Sequence, residues 1–258
     1  MMPAGQRATS TNACPRQVPD RTSATEDGAR HGAEAPPPAG DPARVRATAE
    51  ALVHGWLDTY ITRPHEELGR PGPVCPFVAP AMGEGTLLLR TRLGMTEADG
   101  DDLRAVVRDM VCDFRARRWP RANATMRTLL LALPDLPPAG WSLLDSVQAE
   151  LKGELARAGL MLGQFHPACP EPAARNSAFP VSRGPVPLLA LRNMAIHDVL
   201  FLHHHGEFFA EYRRRFGFRY ERDTVADPLL RNTYREALAR HAPNVSDGAS
   251  HQTNGEAQ

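Results

Sequence analysis

Lysine is nearly missing from this chain of 258 residues: Lys152 is the only one, and the other 29 basic residues are Arg. With the abundance of Ala and Pro, this reads as GC-rich coding bias, and it weakens any mechanism that needs a catalytic lysine. A charge excess is missing as well. Thirty basic and 30 acidic residues give a formal net charge of zero. That argues against a strongly basic nucleic-acid binder and against a polybasic membrane anchor. No run of about 18 uncharged apolar residues occurs, as a membrane span requires. The nearest, Val186 to Leu202, is interrupted by Arg192, Asn193, His197 and Asp198. The four cysteines (14, 75, 112 and 169) show no C-x-x-C spacing, so disulfides are not expected and a reducing cytoplasm is the default compartment. The phosphate-loop, dinucleotide-loop, H-E-x-x-H and G-x-S-x-G signatures are all missing.

Large apolar residues are missing from both ends. Residues 1–41 contain no Ile, Leu, Phe, Trp or Tyr and hold six Pro. Such a segment cannot bury enough apolar area to offset chain entropy and is expected to be disordered. It has no apolar core for a secretory signal, and Asp20, Glu26, Asp27, Glu34 and Asp41 do not suit a transit peptide. Residues 243–258 read as a second disordered tail. A single globular domain is therefore expected over 42–242, a length that suits one hydrophobic core.

Within that body, apolar spacing alternates between two periods. Asp41-Pro42 opens a helix that Pro64 ends, with Val45, Leu52, Trp56 and Tyr60 at helical spacing. Residues 97–118 form a helix striped by Leu103, Val106, Val107, Met110 and Phe114. Ser142 with Asp145 predicts a capping box for a third helix. Later helices hold Phe208 to Phe216 and start at Asp227-Pro228. Strands are expected at Thr86–Leu93, Met126–Leu133, Leu160–Phe165 and Pro187–Met194. Helices alternating with strands predict an α/β or α+β fold, with a mixed sheet of about four or more strands flanked by helices.

Chemistry concentrates in three places. The loop Leu68 to Phe77 carries two Gly and three Pro, which fix a backbone path and would hold Arg70 and Cys75 in place. Arg70 suits a carboxylate or phosphate clamp. Cys75 suits a nucleophile or a metal ligand. The plain alternative is a structural turn with a buried Cys. A Cys before Pro is also a haem-thiolate pattern; it occurs at Cys14, Cys75 and Cys169, and only Cys75 has a structured-looking context. Second, His166 ends the third expected strand and would serve as a general base, an iron ligand or a mere strand cap. Third, Arg192 is a charge in an apolar strand, which needs an anion: a substrate carboxylate, a haem propionate, or Asp198. The run His203-His204-His205 reads as surface or helix-start residues, and Arg213 to Arg215 as a solvated helix face.

Taken together, H-x-x-L-G-R-P-G-x-V-C-P-F (His65–Phe77), G-x-F-H-P (Gly163–Pro167) and P-x-L-x-L-R-x-M (Pro187–Met194) resemble a family of actinomycete and fungal proteins. That family is classed as a domain of unknown function and is often encoded in natural-product gene clusters. The resemblance covers residues 45–222. More distantly, it is similar to the haem protein of D-cycloserine biosynthesis, which N-hydroxylates arginine. The resemblance implies a haem-dependent oxygenase, acting on an amino acid or small metabolite in specialised (antibiotic) metabolism. Asn193 stands where the family usually has a basic residue, which bears on substrate identity. Combined with the residue-level reading, Cys75 or His166 would ligate iron. Arg70 and Arg192 would meet propionates or the substrate carboxylate, and His197 or Asp198 would handle protons. Two alternatives stand beside it: a cofactor-free enzyme with Cys75 as nucleophile and His166 as base, and a non-catalytic binding or accessory protein.

Overall fold

Four short apolar runs become the four strands of one mixed sheet in the computed structural model, which describes residues 40–121 and 123–242. The strands are β1 (Leu87–Thr91), β2 (Thr128–Ala132), β3 (Leu160–Phe165) and β6 (Leu188–Asn193). All four lie where expected, and β3 agrees to the residue. They pair in the order β1-β2-β6-β3. β1 and β2 are parallel, joined across one face by the helix α3 (Gly100–Ala116); β6 runs antiparallel to both β2 and β3. The fold is a single domain of helices around a mixed sheet. Both predicted tails lie outside the described residues, except Gly40 and Asp41 at the start of α1.

The period of two sorts the strand residues between two cores. Leu129, Leu131, Leu160, Leu162, Leu189 and Leu191 pack with α3 and with α4 (Trp141–Arg157). On the opposite face, Leu130, Ala132 and Leu188 meet Val53, Leu57 and Ile61. Those residues belong to α1 (Pro42–Trp56) and to the wide π-type turn Leu57–Ile61 that continues it. A third group packs α6 (Gly206–Glu221) and α7 (Pro228–Arg240) against Met161 and Met194 at one end of the sheet.

Local chemistry explains most boundaries. Asp41 caps α1 by accepting from the Ala43 amide at 3.1 Å, and Asp227 caps α7 by accepting from the Leu229 amide at 2.8 Å, each followed by Pro at the first helical position. The predicted Ser142–Asp145 box is not formed. The cap position of α4 is Gly140, with no side-chain bond, and the Asp145 carboxylate turns to His166 instead. A small hairpin went unforeseen: β4 (Pro172–Ala173) and β5 (Asn176–Pro180). Its sequence alternates too weakly and carries Pro at both outer positions. A short helix, α2 (Val78–Gly83), follows the Pro-rich loop. Among the described residues, no helix is long and apolar enough to cross a membrane.

The turn beyond β6 is held from behind. The fully buried Tyr212 donates to the Ile196 carbonyl at 2.6 Å and lies 2.7 Å from the Tyr220 hydroxyl. A carbonyl only accepts, so Tyr212 donates to it and Tyr220 donates to Tyr212. Replacing Tyr212 with Phe strands that carbonyl, so Tyr212→Phe is expected to cost about 1–3 kcal/mol. Urea unfolding of the two proteins checks this; an unchanged midpoint would show that the hydroxyl does not hold the turn.

Candidate functional site

One rung of the sheet is nearly bare. On the α1 face, Leu130, Ala190 and Gly163 stand in register across β2, β6 and β3. The rungs on either side are Thr128–Arg192–Met161 and Ala132–Leu188–Phe165. Ala190 and Gly163 send no long side chain toward α1, and the Phe165 ring leans over Gly163, 3.3 Å from where a Cβ would stand. The space left is a cavity of about 240 Å³ whose walls include Trp56, Ile61 and Phe165. It adjoins a second lobe of about 380 Å³ that reaches Arg70, His197 and the β4–β5 hairpin. Val74, Cys75, Phe77, Arg192 and Phe201 line both lobes, so Cys75 stands where they meet.

The Pro-rich loop reaches this position through backbone bonds. The Val74 amide donates to Arg63 and the Cys75 amide to Ile61, each at 2.9 Å. The second acceptor is the last residue of the π-type turn, a helix-end carbonyl with no intrahelical donor. Arg70 donates to the carbonyls of Pro71 at 3.1 Å and Val74 at 2.9 Å, bracing the loop from inside. Gly69 is left-handed, with φ of +69°, and a Cβ there would stand 3.2 Å from the Arg175 carbonyl. A side chain is therefore disfavoured at that position on two counts.

Arg192 and Asp198 settle the open choice between a clamp and an ion pair. The guanidinium donates to both Asp198 oxygens, at 2.8 and 2.6 Å, and to the Asn193 carbonyl at 3.0 Å. Asp198 is fully buried and also accepts from the Ala195 amide at 2.6 Å. Oδ2 thus accepts two hydrogen bonds and Oδ1 one, so the buried carboxylate is first of all the partner of Arg192. Arg192 likewise keeps little charge for a substrate acid. Its guanidinium lies 5.5 Å above the Phe77 ring, and His197 meets the same ring edge-on at 5.4 Å. The strand end and the Cys75 loop are therefore joined through Phe77.

Burial pushes the Cys75 thiol above its usual pKa. The amides of Phe77 and Val78 and the charges of Arg192 and Arg70 pull the other way without overcoming it. Burial also lowers His197, despite the nearby carboxylates of Asp198 and Asp227, and its Nδ1 is buried without a hydrogen-bond partner.

His166 is placed elsewhere. It is not among the residues lining the cleft with Cys75. Its ring is buried beside α4, with Nε2 3.1 Å from Asp145 and Trp141 at 5.3 Å. The expected joint role of Cys75 and His166, whether as ligands or as nucleophile and base, finds the two groups in different surroundings. Cys169, set aside on sequence, is fully buried next to His166, its thiol pushed up to about 11 mainly by burial. Cys75 and Cys169 are free. Sequence reasoning also passed over Lys152. The sole lysine is half-buried and lines the inner lobe, its pKa lowered by burial. The missed signal was its position on α4, one turn beyond Gln148, on the helix side that overhangs β3.

The chain belongs to the family described as a domain of unknown function (DUF6875), whose profile matches residues 50–227. The match takes in the four strands, Cys75, Arg192 and both walls of the cleft. No curated protein and no solved structure matches the chain.

The state of His197 sets a pH dependence. The folded protein lowers its pKa, whereas the unfolded chain titrates near 6.5. Stability from this group is whole above that value and is lost as pH falls through it toward the folded pKa. Unfolding midpoints from pH 8 to 5 are expected to fall less steeply for His197→Gln than for the parent. Parallel curves would show that His197 is not held neutral.

Proposed function

We propose that the protein binds a small amphipathic metabolite in this cleft. The apolar part lies over Leu130, Ala190 and Gly163, and an acidic group faces Arg70. The observation that carries this reading is the bare middle rung opening toward Arg70. Arg70 forms no ion pair with a carboxylate among the described residues, in contrast to Arg192 and to Arg175, which Asp227 holds at 2.7 Å. Its remaining N–H groups are available to a carboxylate or phosphate. In the natural-product setting that the resemblance implies, such a ligand is a pathway intermediate or amino-acid-like substrate.

Haem-dependent oxidation of that ligand is the second reading, and Cys75 favours it. A thiol between two lobes, accepting from two backbone amides and followed by Pro, has the donor set of a haem thiolate. Metal binding displaces the thiol proton that burial otherwise retains. Cys75 would hold the iron, and Arg70 would face a propionate. Arg192 would not, because Asp198 occupies it. Haem, when bound, supplies the redox chemistry. This chain's residues would exclude water with the Trp56 and Phe165 walls and position the ligand. A free nucleophile is less well served. Burial favours the protonated thiol, and no imidazole hydrogen-bonds to it among the described residues.

Titration with an apolar arylsulfonate dye, 8-anilinonaphthalene-1-sulfonate, tests the binding reading. One saturable site is expected, lost in Ala190→Leu, which fills the bare rung, and weakened about tenfold in Arg70→Gln, the worth of one charged hydrogen bond. Equal binding by all three proteins would place the dye, and the site, elsewhere. Added hemin tests the second reading: a Soret band that changes in Cys75→Ala supports it, and no retained hemin refutes it.

A further inference from the structure

The cluster around His166 lies outside the cleft and has no part in the binding reading. His166 follows the last residue of β3, Cys169 stands three residues on, and Asp145 projects from the second turn of α4. The turn is closed by the Cys169 amide donating to the His166 carbonyl at 3.0 Å. The His166 Nε2 is 3.1 and 3.2 Å from the two Asp145 oxygens, and the Cys169 sulfur is 4.0 Å from Oδ1. One nitrogen, one sulfur and one oxygen thus lie within 4.8 Å of one another.

We propose that Asp145, His166 and Cys169 form a binding site for a soft divalent cation, zinc by its ligand chemistry. Metal–ligand bonds of about 2.0–2.3 Å at tetrahedral angles separate ligand atoms by roughly 3.3–3.6 Å. The nitrogen–oxygen separations of 3.1 and 3.2 Å lie just below that range and the sulfur–oxygen separation of 4.0 Å just above it, so side-chain rotations of a few tenths of an ångström bring the set to it. Imidazole and thiolate select zinc-like ions over magnesium or calcium. Three protein ligands leave a fourth position, and the side-chain exposures point to where it opens: 3% for His166 against 29% for Asp145. An ordinary His–Asp pair accounts for only part of the arrangement. It does not explain why the fully buried Cys169 thiol stands 4.0 Å from an oxygen of the same Asp145 carboxylate. Binding forms one bond each from nitrogen, oxygen and sulfur to the ion. The thiol proton leaves to solvent, and the Nε2 proton moves to Nδ1.

Cobalt(II) titration of the full chain under reducing, anaerobic conditions reads the thiolate ligand directly. One equivalent is expected to give a thiolate-to-cobalt charge-transfer band that zinc abolishes. The band should disappear in Cys169→Ser and persist in Cys75→Ser. Zinc should raise the melting temperature of the parent and leave that of Cys169→Ser unmoved. No band, a band that survives Cys169→Ser, or one that disappears only with Cys75 would overturn the site. Should Cys169→Ser fail to fold, Asp145→Asn at the exposed side replaces it. That variant should bind zinc more than about tenfold more weakly, beyond the lower end of what an outer-shell change costs, and unchanged affinity would equally overturn the site.

Discussion

A guanidinium at the end of a central strand has to meet an anion, and the arrangement of the cleft follows from where that anion stands. Arg192 closes β6 on the α1 face; Asp198 is brought to it by the short turn after the strand. Desolvating either charge alone costs several kcal/mol, so the pair holds only as a pair. Once formed, it fixes the turn carrying His197, and its outer surface is the platform for Phe77. Phe77 in turn seats the loop that carries Cys75. To the backbone bonds that carry the Cys75 loop to the junction of the lobes, a buried ion pair some 120 residues downstream thus adds a second hold through Phe77.

The cleft itself is a packing consequence. Sheets bury side chains of similar reach on each face, and a rung made of Ala and Gly beside one Leu leaves space that α1 does not fill. Gly163 and Ala190 are ordinary residues in isolation. Only the antiparallel register of β3 and β6 sets them side by side, and the register with β2 adds Leu130. The floor of the inner lobe is thus apolar by construction, whereas its charge comes from Lys152 and Arg192 at the edges, and the outer lobe adds loop and turn residues such as Arg70 and His197.

Much of the fold was legible because it rests on local periodicity. The Leu-rich strands, the α3 stripe and the two Asp-Pro helix starts are written in spacings that need no tertiary knowledge. The hairpin at 172–180 was not, since its strands are short, polar and interrupted by Pro. Of the site, Arg70, Cys75, Arg192, His197 and Asp198 were legible as unusual residues in stiff or apolar segments, and the structure gathers all five around one cleft. Their surroundings were less legible: nothing in the sequence pairs Asp198 with both Arg192 and the Ala195 amide, as the turn after β6 does. His166 was joined to Cys75 by their chemistry, as iron ligands or as base and nucleophile, yet it faces α4 and Cys169. Asp145 was misread for a related reason. A Ser-x-x-Asp spacing looks the same whether its carboxylate caps the helix or turns outward to a neighbouring strand.

The account stands on Arg192 and Asp198 acting as one unit that anchors the site. A double-mutant cycle with Arg192→Met, Asp198→Leu and the double variant, read by urea unfolding, tests that most directly. Each single change should cost about 3–5 kcal/mol by leaving a buried charge unpaired. The double variant should be more stable than the sum of the two losses allows, by about 2–3 kcal/mol. Losses that simply add would contradict this, since each residue would then act independently and the platform under Phe77 would not be a coupled pair.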